Sequence, residues 1–318
     1  MNYSIGIIGV GVLGTAILES FIPIKSIDIK CYDKYKTNSN NDIYVSAIAD
    51  LVQCNIIFLC LPTEYDTVKK AYNKTEIDSV LYDLALLNYK GIIVLKSTVE
   101  PKTTSKLSLL YPQLTLIHNP EFLTARTATH DFKHQKHIVL GIQTAFEKSR
   151  AKTQDLENTA FEKSRAKTED LENPVRKNSD NDLDEMKNAQ VTYIKTFFET
   201  YFKDATITIC SSDESESMKL FCNSFYATKI QYFTEVKLLC DKMDIKYNNV
   251  IELMLKNGWI NPMHTTIPGH DGELSFGGKC LPKDINALCA LCNSLDSPNE
   301  VIQAVVNENH DMRHMDLV

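Results

Sequence analysis

A glycine-rich turn near the start of the chain constrains the fold more than any other feature. The apolar segment Ser4–Val10 runs into Gly9–Gly14, which reads GVGVLG, and a helical pattern continues to Phe21. In a G-x-G-x-x-G turn the first glycine permits the tight turn and the second lets the backbone approach a pyrophosphate. The third allows close packing of the helix on the strand, and the helix N-terminus offers N–H groups to phosphates. The pattern predicts a dinucleotide-binding strand–turn–helix unit.

A single carboxylate indicates which dinucleotide is bound. Asp33 directly follows the second predicted strand, Ile27–Tyr32. A carboxylate at this place accepts hydrogen bonds from the adenosine ribose and repels a 2′-phosphate. We therefore expect NAD rather than NADP.

Short apolar runs alternate with longer mixed segments through the first half of the chain, as in a parallel sheet covered by helices on both faces. Strands are predicted at Ser4–Val10, Ile27–Tyr32, Asn55–Leu61, Gly91–Lys96, Leu114–His118, Ile138–Gly141 and Thr206–Cys210, with helices between them at Gly14–Phe21 and Glu64–Tyr72. The expected fold class is α/β, with a Rossmann-type doubly wound parallel sheet.

The second half of the chain changes character, because no good strand follows Asp213. Long helices are predicted at Glu214–Met243, Asn248–Lys256 (closed by Gly258 as its C-cap) and about Pro282–Leu295. We expect an NAD-binding Rossmann domain over 1–212 and an α-helical central domain over 213–318. The long helix 214–243 is the expected surface of a homodimer.

A tandem duplication interrupts the first domain. Thr144–Asn158 and Thr159–Asn173 differ only at Gln154 versus Glu169. Two copies are too few for a solenoid, and each has little apolar surface. We expect an exposed, charged, partly helical insertion at about 144–185 that folding does not require. A partner-binding role is the alternative.

Composition excludes several functions. A net charge of −7 argues against nucleic-acid binding, and no apolar run approaches the roughly 18 residues that span a membrane. Nine cysteines without a secretory signal indicate free thiols and a cytoplasmic location. Metal binding is not expected. The cluster of His130, His134 and His137 is better explained as polar surface, and the lone C-x-x-C of Cys289 and Cys292 as apolar helix positions.

The most specific segment of the chain is Phe276–Asp284, which reads FGGKCLPKD. Two glycines before Cys280 allow close backbone approach to a ligand, and Pro282 suits the first turn of a helix. A cysteine near a helix N-terminus and flanked by lysines is stabilised as a thiolate. Asp284 follows one turn later on the same helix face. Local chemistry alone leaves a nucleophile and a small buried residue as equal readings of Cys280.

Taken with four further segments, this loop resembles the UDP-glucose/GDP-mannose dehydrogenase family. GGKCLPKD is similar to the active-site cysteine motif of that family. The other similar segments, in the family order, are the N-terminal turn, Lys96–Val99 (KSTV), Asn119–Leu123 (NPEFL) and Lys219–Asn223 (KLFCN). The resemblance implies NAD-dependent oxidation of a nucleotide sugar, UDP-glucose to UDP-glucuronate. It implies two hydride transfers through a thiohemiacetal and a thioester on Cys280.

The resemblance also implies roles for single residues. Lys219 stabilises the developing oxyanion with Asn223 as its partner, one helix turn away. Asp284 and Thr98 hold the water that cleaves the thioester, and Asp284 also serves in proton transfer. Glu121 orients the cysteine loop or acts as a base. Cofactor contacts are expected at Gly9, Gly11, Val12, Leu13, Gly14, Asp33, Thr63 and Thr98, and substrate contacts at Glu121, Phe122, Leu123, Lys219, Asn223, Phe276 and Gly277.

The sequence departs from the family pattern in two respects. A second glutamate usually follows N-P-E-F-L, whereas Ala125 and then Arg126 stand here. Typical members also continue into a third domain that completes the nucleotide-sugar pocket, whereas this sequence ends at Val318. A short form without that UDP-binding domain is therefore expected.

Two other functions remain open. A single-step 3-hydroxyacid dehydrogenase of the 6-phosphogluconate type shares the turn and the Lys-x-x-x-Asn helix but needs no catalytic thiol. A nucleotide-binding homologue that has lost catalysis is the second. The G-G-x-C-x-P-K-D segment argues against the first. The missing third domain and the duplicated insertion favour the second, and the full set of catalytic residue types argues against it.

Overall fold

The computed structural model describes residues 2–36, 42–143 and 180–313, and the duplicated segments lie outside these ranges. The strands are β1 Tyr3–Ile8, β2 Ile27–Tyr32, β3 Ile56–Leu59, β4 Tyr65–Asp66, β5 Ala71–Tyr72, β6 Ile92–Leu95, β7 Thr115–His118, β8 His137–Ile142 and β9 Thr206–Ser211. The helices are α1 Val12–Phe21, α2 Thr75–Leu86, α3 Thr103–Leu110, α4 Ala128–Lys133, α5 Asp180–Tyr201, α6 Ser212–Lys242, α7 Tyr247–Lys256, α8 Leu281–Ser294 and α9 Glu300–Arg313.

Contacts divide the chain into two units. The first comprises Met1–Pro62 and Lys74–Glu216, and the second comprises Thr63–Asn73 and Ser217–Val318. Because Glu216 belongs to the first unit, the opening residues of α6 belong to that unit and the rest of the helix to the second. The second unit thus draws on two separate stretches of sequence.

A seven-stranded sheet forms the centre of the first unit, in the order β2-β1-β3-β6-β7-β8-β9. All four residues of each central strand, β3 and β6, are buried, since helices cover both faces of the sheet. Separate apolar clusters lie on the two faces, one around Phe21 and Phe58 and one around Ile57 and Leu81. The predicted Rossmann-type α/β class and all seven predicted strands are confirmed.

One strand pair departs from the parallel arrangement. β7 and β8 are antiparallel, pairing His118 with Gly141, whereas every other neighbouring pair in this sheet is parallel. Antiparallel neighbours arise when the chain re-enters the sheet from the edge at which it left. The connection between these strands contains a short 3-10 helix, Ala125–Thr127, and the short helix α4, and it reverses the chain in this way.

The predicted helix over Glu64–Tyr72 is wrong. This segment is a hairpin in which β4 and β5 pair antiparallel. Its turn is held by the Asp66 carboxylate, which accepts the backbone N–H groups of Val68 and Lys69, each at 2.9 Å. Lys70 adopts a positive φ of 51°. An aspartate that bonds backbone groups two and three residues ahead favours a turn over a helix.

Helices α6 to α9 make up most of the second unit, which confirms the predicted helical character of this half of the chain. Gly258 closes α7 with a φ of +83°, as its C-cap role requires. Small apolar clusters, one around Phe233 and Ile251 and one around Phe276 and Ile285, form its core. None of the helices in the described ranges is long and apolar enough to cross a membrane.

Candidate functional site

The glycine turn in the first unit has the tight geometry that its sequence predicts. Gly9 has a φ of +90°, and a Cβ there would lie 2.5 Å from the carbonyl oxygen of Cys60. A Cβ at Gly14 would collide with the carbonyl oxygen of Gly9. A Cβ at Gly11, in contrast, would meet no heavy atom within 4 Å. Protein atoms therefore leave no room for a side chain at Gly9 or Gly14. The space at Gly11 is open, and a pyrophosphate would approach there.

Asp33 lies beside this turn at the end of β2. Its Oδ2 accepts the N–H of Val10 at 2.7 Å, and its Oδ1 accepts the N–H groups of Tyr35 at 2.9 Å and Lys36 at 3.1 Å. The Lys36 ammonium bonds the Val10 carbonyl oxygen. A carboxylate has about four acceptor sites, so three backbone donors leave room for a ribose hydroxyl. The open space at Gly11 and the position of Asp33 fit a bound dinucleotide.

Val12 and Leu13, also predicted to contact the cofactor, begin α1. Val12 is exposed and Leu13 is partly buried against the core of the first unit. Thr63 is buried and belongs to the second unit.

Two of the sequence motifs meet in the first unit. Lys96, the first residue of KSTV, donates from Nζ to Oδ1 of Asn119, the first residue of NPEFL, at 2.8 Å. Both side chains are buried, and Asn119 also donates to the carbonyl oxygen of Val139 at 2.7 Å. This pair ties the ends of the neighbouring strands β6 and β7 together. Thr98 and Glu121 thus follow adjacent strand ends, at the edge of the sheet where ligands of such folds bind.

The NPEFL segment is ordered by its own glutamate. Oε2 of Glu121 accepts the backbone N–H of Leu123 at 2.6 Å. Leu123 packs against the core of the first unit, whereas Phe122 between them is exposed. The contact fixes the direction of the Glu121 carboxylate.

In the second unit, a completely buried carboxylate lies at the centre of the candidate site. Asp284 is held through both oxygens. Oδ1 accepts the hydroxyl of Tyr72 at 2.6 Å and the ammonium of Lys283 at 2.5 Å. Oδ2 accepts the side-chain amide of Asn223 at 2.6 Å. Sequence analysis anticipated Asp284 and Asn223, but it missed Tyr72 because it assigned that segment to a helix.

Cys280 occupies the N-cap of α8, and its side chain is exposed. Its carbonyl oxygen accepts the N–H of Asp284 at 3.0 Å, which places the two residues one turn apart, as predicted. Burial raises the pKa of four other thiols to about 11 or 12, so these stay protonated near pH 7. The four are Cys31, Cys54, Cys60 and Cys289.

The loop before Cys280 is fixed by α9. Asn309 donates to the carbonyl oxygen of Phe276 at 2.7 Å. The Arg313 guanidinium bonds the carbonyl oxygens of Leu274 and Ser275. A Cβ at Gly277 would collide with this guanidinium. The glycine is therefore required by close packing of the loop against Arg313, a residue that the sequence pattern did not single out.

Lys219 and Asn223 lie one turn apart on α6, and both are buried. This burial excludes an ordinary solvated lysine. Burying an ammonium group is costly unless other polar groups receive it. The burial of Lys219 therefore indicates a specific role.

One acid that sequence analysis passed over lies three residues before Lys219. Glu216 is completely buried, and its oxygens accept the N–H groups of Thr103 at 3.1 Å and Thr104 at 2.7 Å. These are the first two residues of α3, so the carboxyl group caps that helix. The spacing Glu216, Lys219, Asn223 (i, i+3, i+7) marks one helix face and is the sequence signal that could have revealed it.

Comparison with known proteins gives the family. Residues 213–311 match the central domain of the UDP-glucose/GDP-mannose dehydrogenase family, and residues 30–156 match its NAD-binding domain. Together the two matches cover more than half of the chain. The chain belongs to the UDP-glucose/GDP-mannose dehydrogenase family. The resemblance inferred from the motifs and the expected NAD-binding domain are thereby confirmed.

Individual relatives agree with this membership. The UDP-glucose 6-dehydrogenase of Campylobacter jejuni is 25% identical over 251 residues, which cover 79% of this chain and 51% of that protein. The structure of a UDP-glucose dehydrogenase from Pyrobaculum islandicum has a TM-score of 0.73 at 17% identity, over 98% of this chain and 68% of that one. The chain spans about half the length of the curated relatives it matches.

A fold outside the nucleotide-sugar enzymes is also similar. A 3-hydroxyisobutyrate dehydrogenase from Mycobacterium tuberculosis has a TM-score of 0.63 at 11% identity, over 96% of this chain and 92% of that one. At this identity the likeness concerns the fold alone.

Proposed function

We propose that this chain acts in the NAD-dependent oxidation of the primary alcohol of a nucleotide sugar to a carboxylate, converting UDP-glucose to UDP-glucuronate. The proposal is supported by the family membership and by curated relatives named UDP-glucose 6-dehydrogenase.

The observation that carries the proposal is the pairing of an exposed thiol with a buried, fully bonded carboxyl group one helix turn away. Cys280 is the N-cap of α8, where the helix dipole favours a thiolate. Asp284 in the first turn is held by Tyr72, Lys283 and Asn223. A one-step alcohol dehydrogenase has no use for such a thiol, whereas oxidation of an aldehyde to an acid requires a nucleophile.

The role of Cys280 follows from the chemistry of the second oxidation. The Gly9–Gly14 turn would hold the pyrophosphate of NAD and Asp33 its ribose, and NAD bound there would supply the acceptor for the hydride lost in each oxidation. The thiolate of Cys280 forms a bond to the aldehyde carbon, and the resulting thiohemiacetal becomes a thioester when its carbon is oxidised. Water then attacks the thioester carbonyl, the carbon–sulfur bond breaks, and the thiol returns as the acid leaves.

Other residues assist these steps. We assign stabilisation of the oxyanion to the buried Lys219. Asn223 lies one turn from Lys219 on α6 and donates its side-chain amide to Asp284. Asn223 therefore links Lys219 to Asp284. Asp284 and Thr98 hold the water, Asp284 also serves in proton transfer, and Glu121 serves as a base or orients the loop.

An NADH-production assay across a panel of nucleotide sugars tests the proposal. We expect two NADH for each UDP-glucose consumed. Cys280→Ser should lose turnover to the acid and accumulate a covalent sugar adduct, visible by intact-protein mass spectrometry, because a serine ester hydrolyses more slowly than a thioester. Full two-step activity in that variant would exclude covalent catalysis at Cys280. NAD binding without NADH formation from any sugar would instead favour a homologue that has lost catalysis.

A one-step 3-hydroxyacid dehydrogenase is the second candidate. The fold likeness to the 3-hydroxyisobutyrate dehydrogenase, which extends over 92% of that chain, favours it. A single NADH per substrate, unaffected by alkylation of Cys280, would support this alternative.

We further propose that the protein is a homodimer formed through α6. Four large apolar side chains, each at least half exposed, lie at spacings of four and seven residues along this 31-residue helix: Phe221, Phe225, Tyr232 and Leu239. Such spacing forms one stripe, and exposed apolar stripes mark protein interfaces. Phe225→Glu should shift the sedimentation coefficient from dimer to monomer, and an unchanged monomeric value in both proteins would refute the interface.

The cellular location is also a proposal. None of the nine cysteines, all of which lie within the described residues, forms a disulfide bond, and Cys280 is exposed. Because an exposed catalytic thiol needs a reducing compartment, we propose the cytoplasm.

A further inference from the structure

The hairpin β4–β5 contributes one side chain to the site around Asp284. The Tyr72 ring is buried in an apolar cluster with Leu220 and Leu288, and the ring of Tyr65 meets it edge-on with 6.4 Å between centroids. This packing fixes the ring, so the hydroxyl has a defined position 2.6 Å from Oδ1 of Asp284. The Lys283 ammonium lies 4.4 Å from the centre of the same ring.

We propose that Tyr72 is a positioning residue for Asp284 and sets the orientation of its carboxyl group. The inference rests on the proposed function, because that function gives Asp284 its role with the hydrolytic water. Asn223 fixes Oδ2, and Tyr72 together with Lys283 fixes Oδ1, so the carboxyl plane cannot turn about its bond. A base that acts on one water needs such a fixed plane.

Three side chains donate hydrogen bonds to Asp284. One carries a positive charge and the other two are neutral. Lys283 supplies the positive charge from its own helix, α8. From α6, Asn223 donates to Asp284, with the buried Lys219 one turn earlier on that helix. The hairpin offers the Tyr72 hydroxyl.

Two charged side chains on the neighbouring elements are engaged away from Asp284. Asp66 of the hairpin bonds the backbone of its own turn, and its carboxylate lies 3.9 Å from the ammonium of Lys69. Helix α9 packs on α8 through apolar residues such as Ile302 and Val305, and its Arg313 pairs with Asp271. Tyr72 is thus the hairpin's contribution to the bonding of Asp284.

Replacing Tyr72 with phenylalanine isolates the hydroxyl. The ring remains, so the apolar packing and the contact with the Lys283 ammonium are both kept. Without the hydroxyl, Oδ1 of Asp284 keeps the ammonium of Lys283 but loses its second donor, so the carboxyl group is held less firmly. We expect kcat to fall on the order of tenfold with KM little changed, because the water is then positioned less well for its attack.

The matched control is Tyr247→Phe. Tyr247 is a buried tyrosine of the same unit whose hydroxyl donates to the carbonyl oxygen of Thr265 at 2.7 Å. The control therefore loses the same atom and a bond of similar length without touching Asp284. Equal thermal melting of the two variants, with a lowered kcat at unchanged KM in Tyr72→Phe only, supports positioning. A lowered kcat in both variants, or in neither, overturns it.

A readout independent of turnover separates this inference from the proposed function. Carboxyl-13C-labelled aspartate in the full chain gives a signal for Asp284, which is assigned as the one lost in Asp284→Asn. We expect its chemical shift to change in Tyr72→Phe and to stay unchanged in Tyr247→Phe. An unchanged chemical shift in Tyr72→Phe refutes the inference, even if the protein is a nucleotide-sugar dehydrogenase. Full activity of Asp284→Asn, with a changed chemical shift in Tyr72→Phe, would instead refute the role that the proposed function gives Asp284.

The same bond can be examined from the tyrosine side if Tyr72→Phe does not fold. Tyrosine labelled at Cζ gives a signal for Tyr72 that should shift in Asp284→Asn, because the variant replaces the charged acceptor. The Cζ signal of Tyr247 should not move. If no tyrosine signal shifts in Asp284→Asn, the contact between Tyr72 and Asp284 is refuted.

Discussion

Exchange of Glu216 for glutamine should change how stability depends on pH. Glu216 is completely buried, and its two oxygens each accept one N–H from the first turn of α3. Glutamine has nearly the same shape, but it offers one oxygen in place of two. Its NH2 group then faces a backbone N–H of Thr103 or Thr104, and a buried donor without an acceptor costs about 1–3 kcal/mol.

The pH dependence follows from the pKa of Glu216. Burial raises this pKa from 4.5 to about 8 and outweighs the hydrogen bonds from Thr104 and Thr103, which lower it. Between these two values the folded protein holds a proton that the unfolded chain has released, so the free energy of unfolding falls as pH rises. The slope is about 1 kcal/mol per pH unit. The stabilisation is complete below pH 4.5 and is lost once the pH has passed about 8.

Glutamine does not titrate and lacks this slope. The stability advantage of the wild type over Glu216→Gln should therefore be largest near pH 5 and shrink by about 1 kcal/mol per unit up to pH 8. Urea unfolding at pH 5, 6, 7 and 8 measures the difference. The control is Glu214→Gln in the same helix turn. Glu214 is exposed, and its bond to the Ser211 backbone lowers its pKa below 4.5. The difference in free energy of unfolding between the wild type and Glu214→Gln should therefore stay constant over this range. If the free energy of unfolding depends on pH in the same way for the wild type and Glu216→Gln, the reasoning is refuted.

Three further predictions concern the first unit. Gly11→Ala should leave thermal stability within about 1 kcal/mol of wild type yet weaken NAD binding measured by calorimetry, whereas Gly14→Ala should lower both, since only the second Cβ meets protein atoms. Asp33→Ala should weaken NAD binding much more than NADP binding, and a wild type that already prefers NADP would contradict the ribose assignment. Deletion of one copy, 159–173, should leave the melting temperature and NAD affinity nearly unchanged, and a large loss of stability would show that the segment belongs to a core.

The sheet was predictable because its strands have an unusual composition. Strands such as Ile56–Leu59 and Ile92–Leu95 are buried on both faces, so nearly every position must be apolar. The turn at Gly9–Gly14 was predictable for a different reason, because steric contact at Gly9 and Gly14 excludes every other residue type. In both cases the constraint is local in sequence, and the pattern therefore records it.

The hairpin was not predictable in this way. Its strands are two residues long, and the Asp66 side chain stabilises its turn. The contact that gives the hairpin its function joins Tyr72 to Asp284, which lies in a distant part of the chain. No local periodicity encodes such a pairing. Glu216 was missed for a related reason, since Asp213, Glu214 and Glu216 look alike until the packing shows which one is buried.

The second unit retains polar groups where apolar ones would stabilise it more. Asp284 and Lys219 are both buried, although small apolar clusters surround Leu220, Leu288 and Ile285 on the same helices. Burying a charge costs several kcal/mol even when it is well bonded, and apolar replacements of similar volume are often neutral or stabilising. A fold maintained for stability alone would lose such groups, whereas a site that needs a fixed carboxyl group beside a thiol must keep them. We therefore expect substitutions at Asp284 and Asn223 to reduce activity far more than stability, which separates a catalytic cluster from a structural one.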